Sequence, residues 1–168
     1  NVTGVQTCAL PISNTRVSVQ DLLRGMLIQS GNDAAVALAE FVGGSVEQFV
    51  VEMNAAAKKL GMKNSQWRNP HGLPAREHYT SARDLARLAK AIIAEFPEYY
   101  RLYSEREFSY HGIKQQNRNQ LLWRDPSVDG MKTGFTAAAG YCLVSSAARD
   151  GMRLIAVVLG AENPRLRN

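Results

Sequence analysis

The sequence predicts an α+β fold, with helices packed on an antiparallel sheet. The first half reads as successive helical segments with start and stop signals, and the last third holds two β-rich runs joined by a turn. That order, helices first and hairpin strands after, implies layers of helix against antiparallel sheet. With 168 residues, 45% of them apolar and 21% charged, the chain can also build a substantial core. Folding at this length buries roughly 70% of the unfolded surface.

From Ser18 the run VSVQDLLRGMLIQ places Val19, Leu22, Leu23, Met26 and Leu27 on one helical stripe, with Ser18 and Asp21 spaced as a capping pair. This helix ends near Ser30. The Ala-rich run DAAVALAEFV follows and stops at Gly43-Gly44, and Ser45 with Gln48 starts a third helix. Its stripe of Val46, Phe49, Val50, Met53 and Leu60 runs to a stop at Gly61. Residues 62–79, with Asn69-Pro70, His71-Gly72 and Pro74, read as an extended loop. Thr80, Ser81 and Asp84 open a further helix containing Leu85, Leu88, Ala89 and Ile92. Residues 106–116 alternate loosely around Phe108, Tyr110 and Ile113 and predict a strand or hairpin. VDGMKTG predicts a short strand leading into a turn. GYCLVSSAA and MRLIAVVLG, separated by Arg149-Asp150-Gly151, predict an antiparallel hairpin.

Residues 1–14, NVTGVQTCALPISN, contain no charged side chain and no sustained period; they read as an unplaced leader, foreign to the domain that begins at Thr15. Two cysteines cannot form a disulfide framework, and an apolar run such as Leu154–Leu159 is far short of the roughly 20 residues that cross a bilayer. A net charge of +5 favours anionic partners: nucleic acid, an anionic envelope polymer or a small carboxylate. Histidines at 71, 78 and 111 have no paired ligand spacing and suggest no metal.

Two clusters carry chemistry: Ser30-Gly31-Asn32 at a helix-to-helix junction, and Lys132-Thr133-Gly134 in the strand region. Either trimer recurs by accident. Their order and separation, together with LLRGMLIQSGNDA, NPHGLP, TSARDLA, NRNQLLW and VDGMKTG, resemble the low-molecular-weight penicillin-binding proteins, serine-type D-alanyl-D-alanine carboxypeptidases. The resemblance covers residues 15–168 and implies part of a β-lactamase/transpeptidase-like (DD-peptidase) domain. Acyl transfer through a serine needs a nucleophile, a base and donors aimed at the developing oxyanion. By the resemblance, Ser30 and Asn32 relay protons and position substrate, and Lys132 supplies positive charge. Thr133 hydrogen-bonds the substrate carboxylate, Gly134 permits close backbone approach, and the Phe135 backbone N–H serves the oxyanion hole. Relatives place a polar side chain where Phe135 stands. Arg118, in NRN, and Arg167 complete a carboxylate-attracting set. No cofactor is implied.

The family's S-x-x-K element is absent. No serine here has a lysine three residues on: Arg16 follows Ser13, Asp21 follows Ser18, Gln48 follows Ser45, Arg68 follows Ser65 and Arg149 follows Ser146. The chain therefore reads as an internal piece of such an enzyme, inactive alone, whose parent removes the terminal D-Ala from peptidoglycan stem pentapeptides, binds β-lactams and works in the periplasm or cell envelope. A serine β-lactamase is the nearest rival, but it usually carries S-D-N and an E-x-x-L-N loop that is not found here. A non-catalytic basic module for cell-wall polymer or nucleic acid is the other; the resemblance disfavours nucleic acid. His71 reads as a loop residue, Cys142 as a quiet strand residue, and Lys58, Lys59 and Lys63 as a solvated helix end and loop; Trp67 and Trp123 are placed to flank a substrate groove or, the better reading, to pack in core or loop.

Overall fold

The computed structural model describes residues 15–168, so the expectation of a leader at 1–14 lies outside the described residues. Helix α1 (Val19–Gln29) starts where Ser18 Oγ accepts the Asp21 N–H at 3.0 Å. It ends at Ser30, whose φ of 60° is left-handed; the Ser30 and Gly31 N–H groups turn back onto the carbonyls of Met26 and Gly25. This double closure satisfies carbonyls that a helix end otherwise leaves unpaired. Helix α2 (Asn32–Gly43) follows after two residues, Ser30 and Gly31, and stops at left-handed Gly44. Helix α3 (Val46–Lys59) is capped by Ser45, and α4 (Ala82–Glu95) by Ser81, each hydroxyl accepting the N–H three residues on.

The loop between α3 and α4 is organised rather than loose. Asp84 is completely buried and accepts from the Asn64 N–H at 2.7 Å, Ser65 Oγ at 3.0 Å and Arg87 Nη1 at 2.7 Å. Asn54 holds Trp67 by both backbone groups, and Gln66 bridges Tyr79.

Strands β1 (Glu107–Tyr110) and β2 (Ile113–Gln116) form a hairpin, and β3 (Val128–Thr136), β4 (Gly140–Arg149) and β5 (Met152–Ala161) form an antiparallel sheet in that order. The two hairpins with two-residue loops share one turn chemistry. His111-Gly112 and Asp150-Gly151 all have positive φ, the backbone that matches the twist of the flanking strands. Helix α4 lies against β5 and β4, and α1 lies against β1 and β2. The core has two parts. One gathers Leu22, Ile28, Ala34, Leu38, Phe108 and Tyr110; the other packs Ala89, Tyr100 and Met131 with Ile92, Val144 and Ile155.

The helix-on-antiparallel-sheet expectation is met. Three short helices escaped the sequence reading: α5 (Pro97–Tyr100), α6 (Leu121–Arg124) and α7 (Pro164–Arg167). Each has four residues, too few for a helical period to register. Val19, which the period places on the same stripe as Leu22, is exposed in the first turn of α1. Strand β3 is nine residues long because it pairs with β4 from Val128 to Thr136, a tertiary support that its two glycines conceal in sequence.

Candidate active site

The helix junction and the β3 edge meet. Lys132 Nζ donates to Ser30 Oγ, and also to its neighbour's carbonyl, Thr133 O, at 2.8 Å. The αL turn at Ser30 directs the hydroxyl toward the strand, a backbone state that non-glycine residues adopt at a cost and that concentrates at functional sites. Asn32 begins α2 two residues later and is half-buried.

Lys132 carries the main electrostatic feature of the site. Its pKa is pushed down to about 7, first by burial of the ammonium and then by the like charges of Arg118 and Arg167. Three cations thus converge on one place, an arrangement that an incoming carboxylate relieves. Each arginine arrives by a different route. The Arg118 N–H donates to Ile28 O at 3.3 Å and Gln29 Nε2 donates to Gln116 O at 2.6 Å, so segment 116–118 is stitched to the end of α1. Within that segment Asn117 donates to Glu105 O at 2.9 Å and accepts the Asn119 N–H at 2.9 Å. Arg167 is brought back by α7, whose start is capped by Asn163 Oδ1 and which contacts β4 and β5. Only 9% of Arg167 is exposed, so this near-terminal residue is part of the packed structure.

Beyond Lys132, Thr133 is buried and pairs with Leu143. A Cβ added at Gly134 would meet nothing closer than Cys142 Cβ at 3.9 Å. No crowding within the described residues therefore demands glycine there; open space beside the strand remains for a ligand. Phe135 is 58% exposed and lays its ring 4.3 Å from that of Tyr141, so its side chain serves the strand surface.

The sequence reading missed the support behind β3. Tyr100 Oη donates to Asp129 Oδ1 at 2.7 Å, and Arg153 binds both oxygens of that carboxylate and Ser146 Oγ. Gly130 makes room for this cluster, since a Cβ there would lie 2.7 Å from Tyr100 Oη. Tyr100 lies 29 positions from Asp129, and Asp129 lies 24 from Arg153, so no local spacing signals the cluster. His71 and His78 stay in the α3–α4 loop, their Nδ1 atoms accepting the N–H groups of Leu73 and Arg68, with burial lowering the pKa of both. Cys142 is half-buried in β4.

An edge-strand lysine held against a junction serine, within the electrostatic reach of two arginines, sits on an α+β frame. The family model described as D-alanyl-D-alanine carboxypeptidase matches residues 3–163, and the chain belongs to that family. It is 54% identical over 153 residues to D-alanyl-D-alanine carboxypeptidase DacC of Escherichia coli K12, covering 90% of this chain and 38% of that protein. Its fold matches penicillin-binding protein 5 of Haemophilus influenzae with a TM-score of 0.89 at 51% identity, covering 92% of this chain and 45% of the other. Penicillin-binding protein D2 of Listeria monocytogenes, solved in a cefotaxime-bound form, matches with a TM-score of 0.87 at 34% identity, covering 99% of this chain and 69% of the other. The chain thus spans well under half the length of the E. coli relative.

Proposed function

We propose that these residues form one side of the acyl-transfer site of a serine D-Ala-D-Ala carboxypeptidase, which removes the terminal D-Ala from peptidoglycan stem pentapeptides. The observation that carries this reading is the Lys132–Ser30 contact between β3 and the α1–α2 junction, with Arg118 and Arg167 beside it. The attacking serine and its base come, in this reading, from an S-x-x-K element outside the 168 residues.

Each group then has a chemical task. Arg118, Arg167 and the Thr133 hydroxyl hold the terminal carboxylate, which sets an exopeptidase apart from an endopeptidase. The backbone N–H of Phe135 donates to the oxyanion, and Gly134 lets the strand approach the substrate. Asn32 can donate to a substrate carbonyl while accepting from a lysine. With a pKa of about 7, Lys132 populates both protonation states near neutrality. Ser30 Oγ therefore gives its proton to the departing D-Ala nitrogen and recovers one from Lys132 Nζ, leaving the lysine neutral until deacylation restores it. β-Lactams, which acylate the same nucleophile, are the expected inhibitors, and the cell envelope is the expected location of the whole protein.

The test uses the longer protein that includes an S-x-x-K element. Lys132→Ala should abolish both D-Ala release and labelling by a fluorescent penicillin, whereas Lys58→Ala, on the exposed end of α3, should leave both unchanged. Equal losses in two well-folded variants refute the assignment. The 168-residue chain alone should take no covalent label, and a labelled band would refute the assignment of the nucleophile to another segment.

A further inference from the structure

Residues 116–124 do more than carry Arg118. Gln116, Asn117, Gln120, Trp123 and Arg124 line a hollow of about 410 Å³, within the roughly 300–1,000 Å³ typical of small-ligand sites. Trp123, for which the sequence favours packing over a groove-flanking role, is 44% exposed at this hollow. No carboxylate lines it. Gln116 and Gln120 are exposed, while Asn117 is buried with its amide committed to backbone partners, so the floor is fixed and the rim faces solvent.

We propose that this hollow is a carbohydrate subsite that takes an N-acetylhexosamine unit of the glycan strand. A pyranose presents an apolar face of C–H groups and a rim of hydroxyl and acetamido groups. An exposed indole supplies a flat apolar surface with one N–H donor, and glutamine amides both donate and accept. Arg124, already within 3.4 Å of Gln120 Oε1, adds donors but no acceptor. The combination suits a neutral, amide-bearing sugar better than an anionic polymer, which a cluster of cations would serve.

Position supports the same occupant. The segment that forms the hollow is the one tied to the C-terminal end of α1 through Arg118 N–H to Ile28 O and Gln29 Nε2 to Gln116 O. Ser30 follows within two residues. A sugar at Trp123 would therefore present its attached stem peptide toward Arg118 and the Ser30–Lys132 pair. This step rests on the carboxypeptidase reading, because it takes peptidoglycan as the substrate.

The chain has two tryptophans, which give two indole N–H signals in a nitrogen-correlated NMR spectrum. Titration with tri-N-acetylchitotriose should shift the Trp123 signal saturably and leave Trp67, in the α3–α4 loop, unmoved. Trp123→Ala should weaken binding about tenfold or more, the equivalent of about 1.4 kcal/mol. Trp123→Phe should restore part of it, and Gln120→Ala, at an exposed site that leaves folding intact, should weaken it severalfold. A stationary Trp123 signal, equal shifts of both indoles, or an equal response to maltotriose, which lacks acetamido groups, overturns the proposal.

In the longer protein, Trp123→Ala should raise KM for a disaccharide-pentapeptide about tenfold while leaving kcat, and KM for the free pentapeptide, unchanged. Equal effects on both substrates overturn the subsite. Failure of the carboxypeptidase reading looks different: neither substrate releases D-Ala, while the chitotriose titration, which involves no peptide, keeps its own outcome.

Discussion

Replacing Lys132 by methionine tests the electrostatics of the site without involving substrate. A lysine titrates ordinarily at 10.5, and burial with two neighbouring arginines brings Lys132 to about 7. That separation corresponds to about 5 kcal/mol of penalty on the buried ammonium. Because the folded value is the lower one, the unfolded chain binds more protons throughout the interval. Stability therefore rises with pH above neutrality, and the full penalty is present below it. Methionine keeps the chain length and removes the charge, at the cost of the bonds to Ser30 Oγ and Thr133 O, about 1 kcal/mol each. The variant should be more stable than the parent by about 3 kcal/mol at mildly acid pH, with the difference shrinking as pH rises toward about 9. Urea unfolding at a series of pH values measures this directly. Staying at or below about pH 9 keeps ordinary tyrosines and the Tyr100 phenol, pushed up to about 12, out of the titration. A parent stability that is flat from neutral to alkaline pH, or a methionine variant with the parent's slope, would refute the buried-cation account. Arg118→Gln and Arg167→Gln should each raise the Lys132 pKa and flatten the slope in part.

Ser30→Gly should leave global stability within about 1 kcal/mol, since relief of the left-handed backbone offsets the lost hydroxyl contact. In the longer protein it should cut D-Ala release by about 100-fold or more, the size of a lost proton-transfer group; unchanged turnover would remove Ser30 from the mechanism. Asp84→Asn should lower the urea midpoint and loosen residues 62–79, seen as faster amide exchange at Asn64. Burial alone would raise the Asp84 pKa, but the Asn64 N–H, Ser65 and Arg87 together hold it below the usual carboxylate range. Its contribution is therefore complete above an ordinary aspartate value of about 4 and fades as pH falls through the folded value, a loss that the variant should lack. Gly130→Ala should cost about 1–3 kcal/mol by pushing its methyl against Tyr100 Oη. Tyr100→Phe in that background should recover part of the loss, giving a coupling energy in a double-mutant cycle; strict additivity would show that the two do not touch.

Legibility in the sequence followed locality. The caps at Ser18, Ser45 and Ser81, the glycine stops at 43–44 and 61, and the turn at Asp150-Gly151 all act within four residues, and each was readable. The two short motifs stood out only through the longer runs around them that resemble a family, because either trimer alone recurs by accident. Trp123 stayed divided between packing and groove-flanking readings because exposure is a property of the surroundings: the same residue at the same spacing packs in one fold and borders a hollow in another. The cluster of Tyr100, Asp129 and Arg153 was invisible for a related reason, as no periodicity links a short helix to two different strands.

By itself, then, the sequence determined the longer elements and their capping and supplied the residue types at the candidate site, since those depend on neighbours a turn away. Only the tertiary structure decided that Ser30 meets Lys132 across 102 positions of chain, that Arg118 and Arg167 approach the same ammonium, and that the lysine titrates near 7. Proximity, burial and the field of distant charges arise when separated segments pack together, and these quantities turn a list of suitable side chains into a site.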